Sequence, residues 1–163
     1  MQTEYTANQL NEAGFTDEDH AKVRALCSFL NCDPSELSLE RHEHYGLAVF
    51  SQGNAEFAIG IDAEADKAAR ESIEQSVWAF NASFILSECN LPDELEDGLR
   101  AWQEKECEGA NDALLRMVNR LAGDSFFESA IQADGRGHFL AGYDNEENEE
   151  KIGDTRFYIY RTN

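Results

Sequence analysis

Apolar residues at helical spacing predict several helices along the chain. Thr16, followed by acidic residues, is typical of a helix N-terminus, and apolar side chains then recur every three or four residues as far as Asn31. The longest such pattern contains Asn81 near its middle, a candidate break. The predicted helices cover residues 16–31, 64–87, 93–106, 113–121 and 126–133.

Alternating apolar and polar residues predict strands in two other parts of the chain. Tyr45–Phe50 and Glu56–Ile61 are rich in residues that favour strands, and the segment between them is turn-like. The segments His138–Tyr143 and Thr155–Arg161 repeat this arrangement around an acidic loop, residues 144–154. We therefore predict two antiparallel hairpins.

These elements together predict an α+β protein. We expect one domain over residues 1–163, with residues 1–15 only partly ordered. The two hairpins stand as separate units or as one sheet of four strands, packed with four to five helices. In the helix over 93–106, the stripe of Leu95, Leu99 and Trp102 is expected to lie in the core with Trp78 and Phe80.

Composition and charge narrow the function. The chain has 163 residues, 42% of them hydrophobic, which is enough for a real core. Its 33 acidic residues outnumber 13 basic ones and give a net charge of −20, which argues against direct binding to nucleic acid or to an anionic membrane. No apolar run is long enough to span a bilayer, and no secretory signal is visible, so we expect a cytosolic or virion location and free cysteines.

The negative charge is concentrated in two segments. Residues 88–108 have a net charge of −6, since only Arg100 and Lys105 oppose eight acids, and residues 144–154 have a net charge of −5, since only Lys151 opposes six. The candidate partner-binding residues are Glu88, Asp93, Glu94, Glu96, Asp97, Glu104, Glu106 and Glu108 in the first segment, and Asp144, Glu146, Glu147, Glu149, Glu150 and Asp154 in the second.

Carboxylates on a helix can imitate a nucleic acid backbone. Side chains three or four residues apart lie about 5–6 Å from each other, and phosphates along one strand are roughly 6–7 Å apart. Such rows of charge fit the Lys and Arg residues that normally meet phosphate. The alternative interpretation is a solvated acidic surface that only confers solubility.

Metal and cofactor sites are not expected. Cys27, Cys32, His42 and His44 form a C-x4-C-x9-H-x-H arrangement, but the spacing of the cysteines is poor for zinc. The acids of residues 144–150 resemble a calcium loop and lack the glycine of its sharp turn.

The segment Asp134-Gly135-Arg136-Gly137-His138 is the densest group of catalytic residue types. Its histidine is a candidate base and its arginine a candidate anion ligand. The alternative is a tight turn whose arginine offsets nearby acids. We assign no catalytic residue here.

The sequence resembles a group of uncharacterised phage and prophage proteins. The motif ADGRGHFLAGYDNEENEE followed by FYIYRTN carries most of the resemblance, which covers roughly residues 45–87 and 133–163. The chain differs from the group's pattern at Phe139 and Asn145. The resemblance implies a phage context but no established activity, so no catalytic residue is transferred.

Phage context and high negative charge together predict an inhibitor. We expect a small acidic protein that binds a host nucleic-acid-binding complex, such as a CRISPR effector or restriction enzyme, through surfaces that imitate DNA. A homodimer is compatible with the sequence. The alternatives are a phage accessory or structural protein, and a small enzyme that uses Asp134, Arg136 and His138.

Overall fold

A computed structural model describes residues 5–163, and within them the chain is α+β, as predicted. Its α-helices and strands, numbered in chain order, are α1 (Ala7–Glu12), α2 (His20–Leu30), β1 (Leu37–His44), β2 (Leu47–Gln52), β3 (Ala55–Ile61), α3 (Asp62–Glu74), α4 (Ala82–Glu88), α5 (Glu96–Glu106), α6 (Asn111–Leu121), α7 (Asp124–Asp134), α8 (Arg136–Leu140), β4 (Asn148–Ile152) and β5 (Thr155–Arg161).

The chain divides into two compact units. Unit 1 comprises the described residues up to Ala69 together with Arg136–Asn163, and unit 2 comprises Arg70–Gly135. All five strands belong to unit 1, whereas unit 2 is helical. None of the helices in residues 5–163 has the length and apolar character needed to cross a membrane.

Unit 1 is built on a five-stranded antiparallel sheet in the order β1-β2-β3-β5-β4. Phe50 of β2 lies opposite Phe57 of β3, and Ile59 of β3 opposite Ile159 of β5. Side chains on one face of the sheet pack against α2, where Val23 and Leu26 are fully buried. As the period-two pattern predicted, Phe157 and Ile159 join this core, and Tyr158 and Tyr160 lie on the opposite face.

The two outermost strands were missed by the sequence prediction. β1 carries the sequence LSLERHEH, and β4 carries NEEKI from within the segment that we expected to be an acidic loop. An edge strand buries little apolar surface, and charged side chains there hinder pairing with other chains. A search for alternating apolar residues therefore passes over such strands, and the sheet has five strands where four were considered.

The predicted strand His138–Tyr143 was wrong. Residues Arg136–Leu140 form α8, and the second hairpin pairs β4 with β5 instead. Within α8, Gly137 lies against the following segment, because a Cβ atom there would be 2.5 Å from the carbonyl oxygen of Asn145. The helix thus packs tightly on the chain that follows it, with Leu140 buried.

The N-terminal prediction lies partly outside the described residues. Residues 1–4 lie outside the described residues. Residues 5–15 include α1, whose N-cap Thr6 forms a capping box with Gln9. Leu10 of this helix is fully buried. The segment is thus part of unit 1.

Unit 2 confirms the helices but corrects one of their faces. The long helix over 64–87 is interrupted between α3 and α4, next to Asn81. Part of the core of unit 2 is an aromatic cluster whose ring centroids are 5.3–5.6 Å apart, formed by Phe80, Phe84 and Phe126. The predicted core stripe of α5 was wrong, because Leu95 is 50% exposed and Trp102 38% exposed.

A polar residue takes the buried place on α5. Gln103 is buried, and its amide nitrogen donates hydrogen bonds of 2.9 Å to the carbonyl oxygens of Trp78 and Phe80. Both carbonyls lie in the segment between α3 and α4. Gln103, and not a residue of the predicted apolar stripe, is thus the buried residue of α5.

Candidate protein-binding surface

The acids of residues 88–108, which we call the α5 cluster, lie on α5 and on the turns at its two ends. Glu88 ends α4, Asp93 and Glu94 lie in a 3₁₀ turn before α5, and Glu108 lies in one after it. The other four acids are on α5 itself. Glu88 and Glu96 are half-buried and the remaining six residues are exposed.

Local cations offset only part of this charge. Arg100 contacts Glu96 and lies 3.6 Å from Asp97, and Lys105 lies 3.6 Å from Glu106. These pairs are exposed, so each contributes little to stability. Within residues 5–163, no ion pair involves Asp93, Glu94 or Glu104, whose carboxylates face solvent.

An apolar cavity lies beside the α5 cluster. It has a volume of about 320 Å³ and brings together Leu95 and Leu99, the residues that the sequence placed in the core. Its only charged lining residue is Glu94. The full lining is Leu86, Leu91, Glu94, Leu95, Gly98, Leu99 and Met117. A cavity of this composition can hold an apolar side chain but offers no acid–base pair for catalysis.

The acids of residues 144–154, which we call the β4 cluster, are used differently. Glu147 accepts hydrogen bonds from Arg136 Nε at 2.7 Å and Nη2 at 3.1 Å, and another from the hydroxyl of Tyr160 at 2.5 Å. Arg136 Nη1 also lies 2.9 Å from a carboxylate oxygen of Asp62 and 2.9 Å from one of Asp66. One arginine thus joins three carboxylates within unit 1.

Burial makes this network important for the fold. The Arg136 side chain is 10% exposed, and its guanidinium lies 4.2 Å from the centre of the Tyr158 ring. Burial opposes its charge, but hydrogen bonds to Glu147 and Asp62 outweigh that effect and hold the pKa of Arg136 above its usual range. Burial, followed by the bond to Glu147, raises the pKa of Tyr160, so its hydroxyl stays a donor.

Other members of the β4 cluster also have partners inside the protein. Glu149 pairs with Arg156 at 3.1 Å across the hairpin, and Glu150 accepts a hydrogen bond from Ser28 Oγ at 3.2 Å. Asp144 accepts one from the amide of Glu146 at 3.0 Å. Of the six acids, only the side chains of Glu146 and Asp154 make no such contact with the part of the chain that the structure describes.

The DGRGH motif does not form a catalytic group. Asp134 is the exposed last residue of α7 in unit 2, whereas Arg136 and His138 belong to α8 of unit 1. Gly135, with φ of +79°, permits the turn between these helices, as the tight-turn interpretation expected. Arg136 already contacts three carboxylates, so it is not available as an anion ligand.

The cysteines and histidines of the zinc pattern are not brought together. Cys27 and Cys32 are free thiols buried in the core of unit 1, and burial raises the pKa of Cys27. His44 donates from Nε2 to the carbonyl oxygen of Leu140 at 2.8 Å. The suggested calcium loop is also excluded as a loop, since β4 occupies part of it.

Sequence reasoning missed the acids that hold Arg136 from a distance. Asp62 and Asp66 are four residues apart at the start of α3, a spacing that places them on one side of a helix. The sequence contains that signal, but only the fold shows that α8 lies beside it.

No family model matches the chain, and neither the curated proteins nor the solved structures contain a match.

Proposed function

We propose that this chain is a phage-encoded inhibitor that binds a host nucleic-acid-binding defence complex, either a CRISPR effector or a restriction enzyme. The observation that carries the proposal is the surface around α5, where exposed acids adjoin an open apolar cavity. The phage resemblance of residues 45–87 and 133–163 supplies the context, with the host cytoplasm as the place of action.

The charged part of this surface is complementary to the basic surface of a protein that binds nucleic acid. Asp97 lies three residues after Glu94 and four after Asp93, a spacing at which carboxylates are roughly as far apart as phosphates are. Their charge steers encounter with a basic surface and competes with nucleic acid for it. The net charge of the whole chain, −20, also favours association with a basic partner.

The apolar part supplies affinity that charge alone does not. Exposed large apolar side chains near a cavity are typical of protein interfaces, and tryptophan is enriched among the residues that dominate binding energy. Leu95 and Trp102 lie seven residues apart, two turns along α5, and both are exposed. The partner surface should therefore combine Lys or Arg with a protruding apolar side chain.

The β4 cluster contributes less to this proposal than the sequence suggested. Glu147 and Glu150 have partners inside unit 1, so their reversal would disturb the fold as well as binding. Charge reversals meant to test binding belong on exposed acids without long-range partners in the fold, such as Glu94 and Asp97.

The test is protection of phage in bacteria that carry a defined restriction or CRISPR system. The chain should raise plating efficiency, and E94K/D97K should reduce that protection at least tenfold. E128K/D134K is the matched control, because it changes the net charge equally at exposed acids of unit 2 outside the α5 cluster. Purified target should bind the parent chain in competition with DNA and less tightly as salt rises.

Two results would contradict the proposal. If E94K/D97K folds and protects as well as the parent, the α5 cluster is not the binding surface. If the parent protects against no restriction or CRISPR system tested and binds no such complex, the accessory-protein interpretation replaces inhibition.

A further inference from the structure

A second group of polar side chains lies in unit 1, on the two strands β1 and β3 that flank β2 in the sheet. Glu40 and His42 are on β1, and Glu56 is on β3. One ligand atom from each of the three lies within 4.8 Å of the other two. We infer that Glu40, His42 and Glu56 form a binding site for a divalent transition-metal ion, with Zn²⁺ as its representative.

The backbone of β1 brings the three side chains to one place. The pairing of β1 with β2 shifts between Leu39 and Glu43, a bulge that contains both Glu40 and His42. Bulges redirect side chains and are common at functional sites. The small side chain of Ser51, on the intervening strand β2, leaves space for groups of β1 and β3 to meet.

All three groups already take part in hydrogen bonds. Ser51 Oγ donates to Glu40 Oε1 at 2.6 Å, and His42 Nε2 lies 3.2 Å from Glu56 Oε2. The backbone of Glu56 is held as well, because its amide donates to Asn163 Oδ1 at 2.7 Å. Outer contacts of this kind fix the direction of metal ligands.

The donor set favours a transition metal over calcium or magnesium. Imidazole nitrogen with carboxylate oxygen is a ligand combination of zinc sites, whereas Ca²⁺ and Mg²⁺ prefer oxygen alone. Ligands at zinc distances are about 3.4 Å apart around one ion, so the His42–Glu56 pair needs little movement. His42 is more than half exposed, which leaves the other coordination positions open to water.

The test uses zinc titration of the C107S variant, which removes the exposed thiol. In moderate salt, calorimetry should detect one Zn²⁺ per chain, and zinc should raise the melting temperature because it joins β1 to β3. H42A and E56Q should each weaken this binding at least tenfold and abolish the shift. H138A is the matched control, since His138 is an exposed histidine of the same unit, and it should bind as C107S does.

Three results would overturn the inference. One is the absence of zinc binding by C107S at millimolar concentration. Another is binding that H42A and E56Q leave unchanged, which would place zinc on other acids of the chain. The third is equal competition by Mg²⁺, because it would show that the imidazole does not contribute. None of these results bears on the inhibitor proposal, whose residues lie in unit 2.

Discussion

The two acidic clusters have nearly the same net charge in the sequence, −6 and −5, but opposite relations to the fold. In the β4 cluster, Glu147 is bound by Arg136 and Tyr160, and Glu150 by Ser28. In the α5 cluster, the cations are neighbours on the same helix, and Asp97 remains 98% exposed. The comparison shows that a run of acids can form part of a folded network or an exposed surface. The outcome depends on whether the fold places distant polar or basic side chains beside it.

Distance along the chain explains the difference in energy. Arg136 meets Asp62 and Asp66, which are separated from it by seventy residues or more, and their contact requires the folded unit. Arg100 meets Glu96 one helical turn away, and such exposed pairs contribute about 0.3–0.5 kcal/mol each. Substitutions should therefore affect stability in unit 1 and leave it largely unchanged on the α5 surface.

The largest effect is expected from E147K. It removes the acceptor of Tyr160, removes two hydrogen bonds to Arg136, and places a second cation beside a guanidinium that is nearly buried. Breaking a fully buried pair costs about 3–5 kcal/mol, and because the Glu147 side chain is 27% exposed we expect a loss at the lower end of that range. Urea unfolding followed by circular dichroism should show this loss.

The control for E147K is D97K, which makes the same change of charge on an exposed residue. It should alter the free energy of unfolding by less than about 0.5 kcal/mol. Circular dichroism is the suitable probe because both tryptophans, Trp78 and Trp102, lie in unit 2. Equal stabilities of E147K and D97K would show that the network does not stabilise unit 1.

A smaller effect is expected from Y160F. The hydroxyl of this fully buried residue donates to Glu147, and a hydrogen bond to a charged group contributes about 1.5–3 kcal/mol. The loss should be smaller than in E147K because Arg136 keeps its contacts. Y143F is the control, since Tyr143 is exposed and should tolerate the change. A loss no greater in Y160F than in Y143F would contradict the assigned bond.

The fold could be predicted from the sequence wherever burial controls the pattern. Tyr45–Phe50, Glu56–Ile61 and Thr155–Arg161 correspond to central strands, and the alternation in β5 gave the correct faces. The edge strands β1 and β4 could not be found in this way, because their side chains are mostly polar. The segment after Gly137 was misassigned because its tight packing depends on residues 145–147.

The candidate site could be predicted only as a count of charges. Sequence spacing located the α5 cluster, but it placed Trp102 inside, since nothing in the sequence shows that Gln103 donates to the carbonyl oxygens of Trp78 and Phe80. Likewise, nothing near Glu147 in sequence distinguishes it from Glu146. The partners that separate these two residues are long-range and become visible only in the fold.

W102A tests whether the Trp102 side chain belongs to the exposed α5 surface. Its expected loss of stability is smaller than that of Y160F. Trp102 is 38% exposed, so its removal should cost about 1 kcal/mol, whereas a fully buried aromatic residue costs about 3–5 kcal/mol. F126A is the buried control in the same unit. Loss of phage protection in W102A without loss of fold would extend the binding surface to this residue. A stability loss equal to that of F126A would mean that Trp102 belongs to the core.

The smallest effect is a pH dependence that arises in unit 1 from His44. Burial, supplemented by the neighbouring His42, lowers the pKa of His44 and outweighs the bond to Leu140. The folded state therefore binds a proton less readily than the unfolded chain, whose histidine pKa is about 6.5. Its contribution to stability is present above that pKa and is lost as pH falls through it towards the lower folded value.

Unfolding measured between pH 7.5 and 5.5 should show this decline above the range where most carboxylates titrate. H44Q retains a donor for the Leu140 carbonyl but does not titrate, so its decline should be smaller. Equal declines in the parent and H44Q would contradict the assignment of the pH dependence to His44.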